Sequence, residues 1–218
     1  MTQWKLPENL QDLLPSQAKK LEICRRQLLD LYDEAGYQFV MPSLLEYEDS
    51  LNAHGKDLDL DTFKVVDQLS GRMMGVTSDL TTQAARIDAY LADNQTTNKF
   101  CYAGPVIRTK AQQDQSRELY QIGIEYYGNS GIDADKEVVL TLIKSLKLLK
   151  IKEIVIDLNH LGIYTALKNN LTITAPNESA FSKAVMLKDK QSVQSILEHD
   201  NDKEAIDEII QLLDMYGG

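Results

Sequence analysis

Arg108, Gln121 and Glu125 bring a cation, an amide and an acid into one short stretch, FCYAGPVIRTKAQQDQSRELYQIGIEYYG, at residues 100–128. The stretch reads as a strand, a polar loop (AQQDQS) and a second strand. A strand turns alternate side chains to opposite faces. From Arg117 onward, Leu119, Gln121, Gly123 and Glu125 therefore share one face, and Tyr120, Ile122, Ile124 and Tyr126 the other. Antiparallel pairing of the two strands is expected to set Arg108 near Gln121 and Glu125. Such a face can hold a small zwitterion. The guanidinium takes a carboxylate, and the acid takes an ammonium or an imidazole N–H. A cross-strand ion pair between Arg108 and Glu125 is the plainer structural reading. Tyr102, Tyr126 and Tyr127 read as packing residues, and Lys110 and Arg117 as solvated loop charges.

The elements that must position these residues can be read from periodicity and punctuation. Leu6 to Pro15 is an irregular lead. Ser16 to Ala35 is helical, with Leu21, Cys24, Leu28 and Leu31 on one side, Ser16 as a cap and Gly36 as the stop. Tyr37 to Met41 reads as a strand ended by Pro42, and Leu44 to His54 as a short acidic helix. Phe63–Asp67 and Met73–Val76 form a hairpin pattern around Leu69, Ser70 and Gly71. Thr81 to Leu91 is a helix with Ala84, Ala85, Ile87 and Leu91 inward, and Asp79 and Thr81 stand where an N-cap belongs. Asp135 to Leu149 is amphipathic, Glu153 to Leu158 (EIVIDL) reads as an edge strand, and Leu161 to Tyr216 is helical and polar. Strands and helices do not alternate in a βα rhythm, so the pattern predicts an α+β fold on a mostly antiparallel sheet.

Composition removes several function classes. With 218 residues, 43% hydrophobic and 26% charged, the chain is ordinary globular material. A net charge of -10 argues against a broad nucleic-acid footprint. Cys24 and Cys101 form no CxxC, and His54, His160 and His199 have no metal-ligand spacing, so no metal is expected. The acidic run Asp57–Asp61 reads as solvated surface, Cys24 as a buried small hydrophobe and His54 as a turn residue. Glycine-rich phosphate loops are missing. The polar start and the lack of a long apolar run predict no leader, no membrane span and a cytoplasmic location.

These residues carry a family resemblance. The lead LPENLQDLLP, the long helix and GYQFVMPSLLEY resemble the opening and motif 1 of class II aminoacyl-tRNA synthetases, in particular the histidyl-tRNA synthetase branch. CYAGPVIRT…SRELYQIGIEYYG resembles motif 2, with Arg108 as its arginine. The resemblance covers about Leu6 to Asp157. It implies homodimerisation through the motif 1-like region, with Pro42 as the motif proline, and an amino-acid pocket at Asp79, Thr81, Arg108, Gln121 and Glu125. The chain departs from the synthetases where ATP is held. Lys110 stands for the glutamate two residues after the motif 2 arginine, and Gln115 for the first of two loop arginines, leaving Arg117. The Arg-Pro-Glu-x-Thr pattern reads Thr77–Ser78–Asp79–Leu80–Thr81. Adenylation requires well-placed cations on the triphosphate.

DLDLDTFKVVDQLSGR, DLTTQAARIDAYL and CYAGPVIRT are most similar to the regulatory-subunit family of short-form ATP phosphoribosyltransferase. That resemblance implies a non-catalytic protein with no catalytic residues and no cofactor. It implies a short catalytic subunit as partner and feedback by histidine in the first step of histidine biosynthesis. A histidyl-tRNA synthetase or another amino-acid adenylating enzyme is the alternative. The family's Gly-Leu-x-Tyr-Tyr segment and motif 3 do not occur before Gly218. The expected organisation is thus a truncated one, the first part of a synthetase-like domain at residues 1–160 and a helical insertion-like segment at 161–218.

Overall fold

A computed structural model describes residues 5–51, 61–91, 97–111, 116–156 and 161–214. It divides into two compact units, Met1–Ile154 and Val155–Gly218. In the first, helix α1 (Pro15–Glu34) starts with Pro15 at a first-turn position, where a missing N–H does no harm. Leu14 is the N-cap, and the Gln17 side chain accepts from its N–H at 3.2 Å, so the expected cap at Ser16 moves back two positions. Gly36 stops the helix at φ +84°, a backbone region that suits glycine. The Tyr37 N–H then donates back to the Tyr32 carbonyl at 2.9 Å.

The chain next forms β1 (Gln38–Phe39), β2 (Leu45–Tyr47) and the short helix α2 (Glu48–Leu51). The helix expected from Leu44 is thus a strand for its first residues, because β2 pairs antiparallel with β4 (Met73–Val76). Residues 52–60, including His54 and Asp57 to Leu60, lie outside the described residues. β3 (Lys64–Val66) pairs antiparallel with β4, as the hairpin pattern predicts. Helix α3 (Leu80–Leu91) follows, with Leu80, Gln83 and Ala84 buried. β5 (Asn98–Ile107) and β6 (Glu118–Tyr127) pair antiparallel along their whole length. β1 joins the other edge of β5 in parallel, so one sheet runs β1-β5-β6 and the other β2-β4-β3. Helix α4 (Ile132–Leu148) ends the regular structure of this unit. Among the described residues 153–156 no strand forms, and Val155 is 95% exposed.

The β5–β6 hairpin is covered on both faces. On one, Cys101, Ile122 and Ile124 pack with Leu28, Tyr32 and Tyr37 from α1 and the turn after it. On the other, Tyr102 and Val106 pack with Leu80 and Ala84 of α3, and Leu119 and Val40 close the edge. This second face carries the even-numbered residues of β5 and the odd-numbered residues of β6, and hence the candidate site.

The second unit holds α5 (Leu161–Asn169), α6 (Ala175–Met186), α7 (Lys190–Leu197) and α8 (Lys203–Asp214). Phe181, Val193, Leu197 and Ile209 are fully buried in its core. Asp189 caps α7 by accepting from the Ser192 N–H at 3.1 Å. Among the described residues no helix is long and apolar enough to cross a membrane.

Candidate functional site

The ladder register decides which candidates meet. Gly104 lies opposite Gln121, Tyr102 opposite Gly123, and Phe100 opposite Glu125. The same ladder ends with the Arg108 N–H donating to the Arg117 carbonyl at 2.9 Å. Arg108 and Glu125 share a face, but eight residues separate their backbone positions, at most about 27 Å along an extended strand. Their side chains reach the 78–81 segment separately, Arg108 at Ser78 and Glu125 through Tyr102 at Thr81. The expected contact between them therefore does not form, and the cross-strand ion pair falls with it. Gln121 stands between the two.

The segment before α3 supplies the rest of the site. It is fixed against the end of β5 by the Ile107 N–H, which donates to the Thr77 carbonyl at 2.9 Å. Asp79 caps α3, its Oδ1 accepting from the Thr81 N–H at 2.9 Å. The same oxygen accepts from Gln121 Nε2 at 2.8 Å, and Gln121 Oε1 accepts from the Leu80 N–H at 2.8 Å. The amide orientation follows from its neighbours, since an N–H needs an oxygen and a carboxylate needs a donor. Gln121 thus bolts β6 to the start of α3. Arg108 reaches the same segment, with Nε donating to the Ser78 carbonyl at 3.3 Å.

Farther along the face, the Tyr102 hydroxyl lies 3.0 Å from Thr81 Oγ1 and donates to Glu125 Oε1 at 3.1 Å. An ionised carboxylate only accepts, so the tyrosine proton goes to Glu125 and Thr81 donates to the tyrosine oxygen. Burial pushes the Glu125 carboxyl above its ordinary range; the Tyr102 and Thr81 hydroxyls pull it back, and the nearby Asp79 charge pushes it up again. Burial likewise raises the Tyr102 and Tyr127 phenols, with the Glu125 charge adding to both. Among the described residues the buried Tyr127 hydroxyl has no hydrogen-bond partner.

Four of the five sequence candidates, Asp79, Thr81, Gln121 and Glu125, are thus joined by hydrogen bonds, with Tyr102 as a link. The fifth, Arg108, stands at the other end and touches the residue before Asp79. The order along the face is a cation, then Asp79 and Thr81, then Glu125. An α-amino acid with a hydrogen-bonding side chain presents its carboxylate, ammonium and side chain in that order. Tyr102 escaped the sequence reading because a phenol in an alternating strand looks like core, and it is indeed 3% exposed. The available signal was Gly123, a glycine inside a strand, which marks a close approach. A Cβ there would stand 2.6 Å from the Tyr102 hydroxyl oxygen.

The positions that match the ATP-holding residues of the synthetases look different. Lys110 is exposed beyond the end of β5, and Gln115 lies outside the described residues. The Arg117 guanidinium lies 4.5 Å over the Phe63 ring and donates to the carbonyls of Arg108 and Glu8 at 3.3 and 3.5 Å. Among the described residues no cluster of three or more His, Cys, Asp or Glu side chains suits a metal ion.

Comparison with known proteins identifies the family and the fold. A curated ATP phosphoribosyltransferase regulatory subunit from Thiobacillus denitrificans is 46% identical over 195 residues, covering 88% of this chain and 61% of the relative. The chain spans half to three-fifths of the length of the curated relatives it matches. Among solved structures, an ATP phosphoribosyltransferase regulatory subunit/histidyl-tRNA synthetase from Bacillus halodurans superposes with a TM-score of 0.84 at 24% identity. That match covers 98% of this chain and 56% of the other. An ATP phosphoribosyl transferase complex from Thermotoga maritima matches with a TM-score of 0.67 at 13% identity, covering 88% of this chain and 64% of that one. Both likenesses establish the fold, an α+β arrangement of the class II synthetase type. The family model described as histidyl-tRNA synthetase matches residues 9–218, so the chain belongs to the histidyl-tRNA synthetase family.

Proposed function

We propose that this protein is a non-catalytic regulatory subunit of short-form ATP phosphoribosyltransferase, which activates the catalytic subunit and transmits feedback by histidine. The observation that carries the reading is the contrast across one hairpin. The amino-acid end keeps Arg108, Asp79, Thr81, Gln121 and Glu125 in ligand order. The ATP end has Lys110 in place of an acid, and its remaining arginine is engaged with main-chain carbonyls. In this reading Arg108 takes the ligand carboxylate, Asp79 and Thr81 the ammonium, and Glu125 an imidazole N–H. Gln121 and Tyr102 hold those groups in place. The names of the curated relatives and the fold shared with the Thermotoga maritima complex support the partner.

Regulation then requires that histidine bind the active and inhibited states of the complex with different affinity. Homodimerisation through the α1–β1 region and a cytoplasmic location belong to the same proposal. Mixing the protein with a short catalytic subunit is expected to raise its turnover and to make that turnover fall when histidine is added. Unchanged turnover in the mixture would sink the idea. The family match keeps a second reading open, a histidine-activating enzyme. Histidine-dependent exchange of pyrophosphate into ATP would establish it, and the altered ATP end predicts no exchange.

A further inference from the structure

We propose that Tyr102 is a positioning residue that uses its hydroxyl to hold the Glu125 carboxylate aimed for a ligand, with Thr81 as the donor behind it. The inference rests on the reading of this face as an amino-acid pocket. Three observations carry it. The ring is buried against Leu80, Ala84 and Val106, so it has one orientation. It lies directly over Gly123, where any side chain would occupy its place. Its hydroxyl lies 3.0 Å from Thr81 Oγ1 and 3.1 Å from Glu125 Oε1, a relay with one direction of donation. With Oε1 held by the phenol, the carboxylate has a fixed orientation on the face.

The groups facing Glu125 are Tyr102 on β5, Asp79 and Thr81 at the start of α3, and Tyr127 on its own strand. Asp88 of α3 acts on Tyr127 from farther along. Asp79 and burial both oppose ionisation of Glu125, and the two hydroxyls favour it. Deleting the phenol oxygen therefore leaves burial and repulsion less opposed. A ligand that needs an ionised acceptor then loses affinity first at acid pH.

The test uses Tyr102→Phe, which keeps the ring over Gly123, and Thr81→Val, which keeps the phenol but removes the donor behind it. The Glu125 carboxyl is titrated by carbon NMR in the ligand-free protein, and L-histidine binding is measured by calorimetry across pH. Both variants are expected to move the Glu125 midpoint upward, with the larger move in Tyr102→Phe. Histidine affinity in Tyr102→Phe is expected to fall about tenfold to a hundredfold, the worth of a hydrogen bond to a charged group. The loss should deepen as the pH is lowered. A Glu125 midpoint in Tyr102→Phe equal to that of the unmodified protein overturns the assignment, whether or not histidine binds. If the unmodified protein binds no histidine while the midpoint still moves, the pocket reading falls and the positioning role stands.

Discussion

Gly123→Ala adds one carbon, which would lie 2.6 Å from the Tyr102 hydroxyl oxygen, 2.7 Å from Cζ and 2.9 Å from Cε2. Comfortable contacts between carbons are about 3.5–4.0 Å. The phenol must therefore retreat by roughly 1 Å, or β6 must bow away from β5. Neither move is free. The ring is 3% exposed and its hydroxyl is committed to Thr81 and Glu125. Overpacking of this kind costs about 1–3 kcal/mol. Stretching the bond to a charged carboxylate adds about 1.5 kcal/mol. Replacing glycine in a strand returns roughly 0.5–1 kcal/mol. The net loss is about 1.5–4 kcal/mol, which for a unit of this size lowers the melting temperature by about 4–15 °C. The assay is thermal unfolding of the variant and its parent, followed by the near-ultraviolet signal of the tyrosines. A double-mutant cycle supplies the control. In a Tyr102→Ala background the methyl has room, and Gly123→Ala should be neutral or stabilising by up to about 1 kcal/mol. Equal costs in the two backgrounds would refute the claim that the phenol sits on Gly123.

Glu125→Gln is expected to stabilise the protein near neutral pH. The acid has a raised folded-state pKa, so the native state binds more protons than the unfolded one, and its stability is lost as pH rises through the folded value. The neutral amide lacks that loss. Urea midpoints of variant and parent should converge at acid pH and separate toward neutrality, and parallel curves would contradict this. Gln121→Leu leaves the Leu80 N–H without its acceptor and Asp79 without a donor, and should cost about 1–3 kcal/mol in urea unfolding. No loss would mean that Gln121 is not the bolt between β6 and α3. Burial pushes the Cys101 thiol up to about 11, and the side chain is 1% exposed. Iodoacetamide at about pH 8, a little below the free thiol's pKa, should therefore leave it unmodified in the folded protein, as read by mass spectrometry of its peptide. Labelling at the rate seen for the unfolded chain would contradict that placement.

Local signals carried much of the fold. The stop at Gly36, the β3–β4 turn and the alternation of β6 are written in adjacent residues, and each is where the sequence places it. What failed depended on distant partners. Leu45–Tyr47 continues a stretch with helical spacing, yet β4 recruits it into a sheet. The apolar run near Ile154 looks like a strand, but nothing pairs with described residues 153–156. The site followed the same rule. Asp79 was recognisable as a cap from its place before a helix, and it is one. The expected closeness of Arg108 and Glu125 fails because alternation fixes the face of a residue and not its position along the ladder. Tyr102 reads as core from sequence because burial and a committed hydroxyl are indistinguishable until the register sets it opposite Gly123.

The most direct test is calorimetric titration of the protein with L-histidine in the absence of ATP, repeated with Arg108→Ala and Glu125→Ala. A retained amino-acid pocket predicts saturable heat for the unmodified protein and none for either variant. No heat from the unmodified protein, or equal heat from all three, would contradict it.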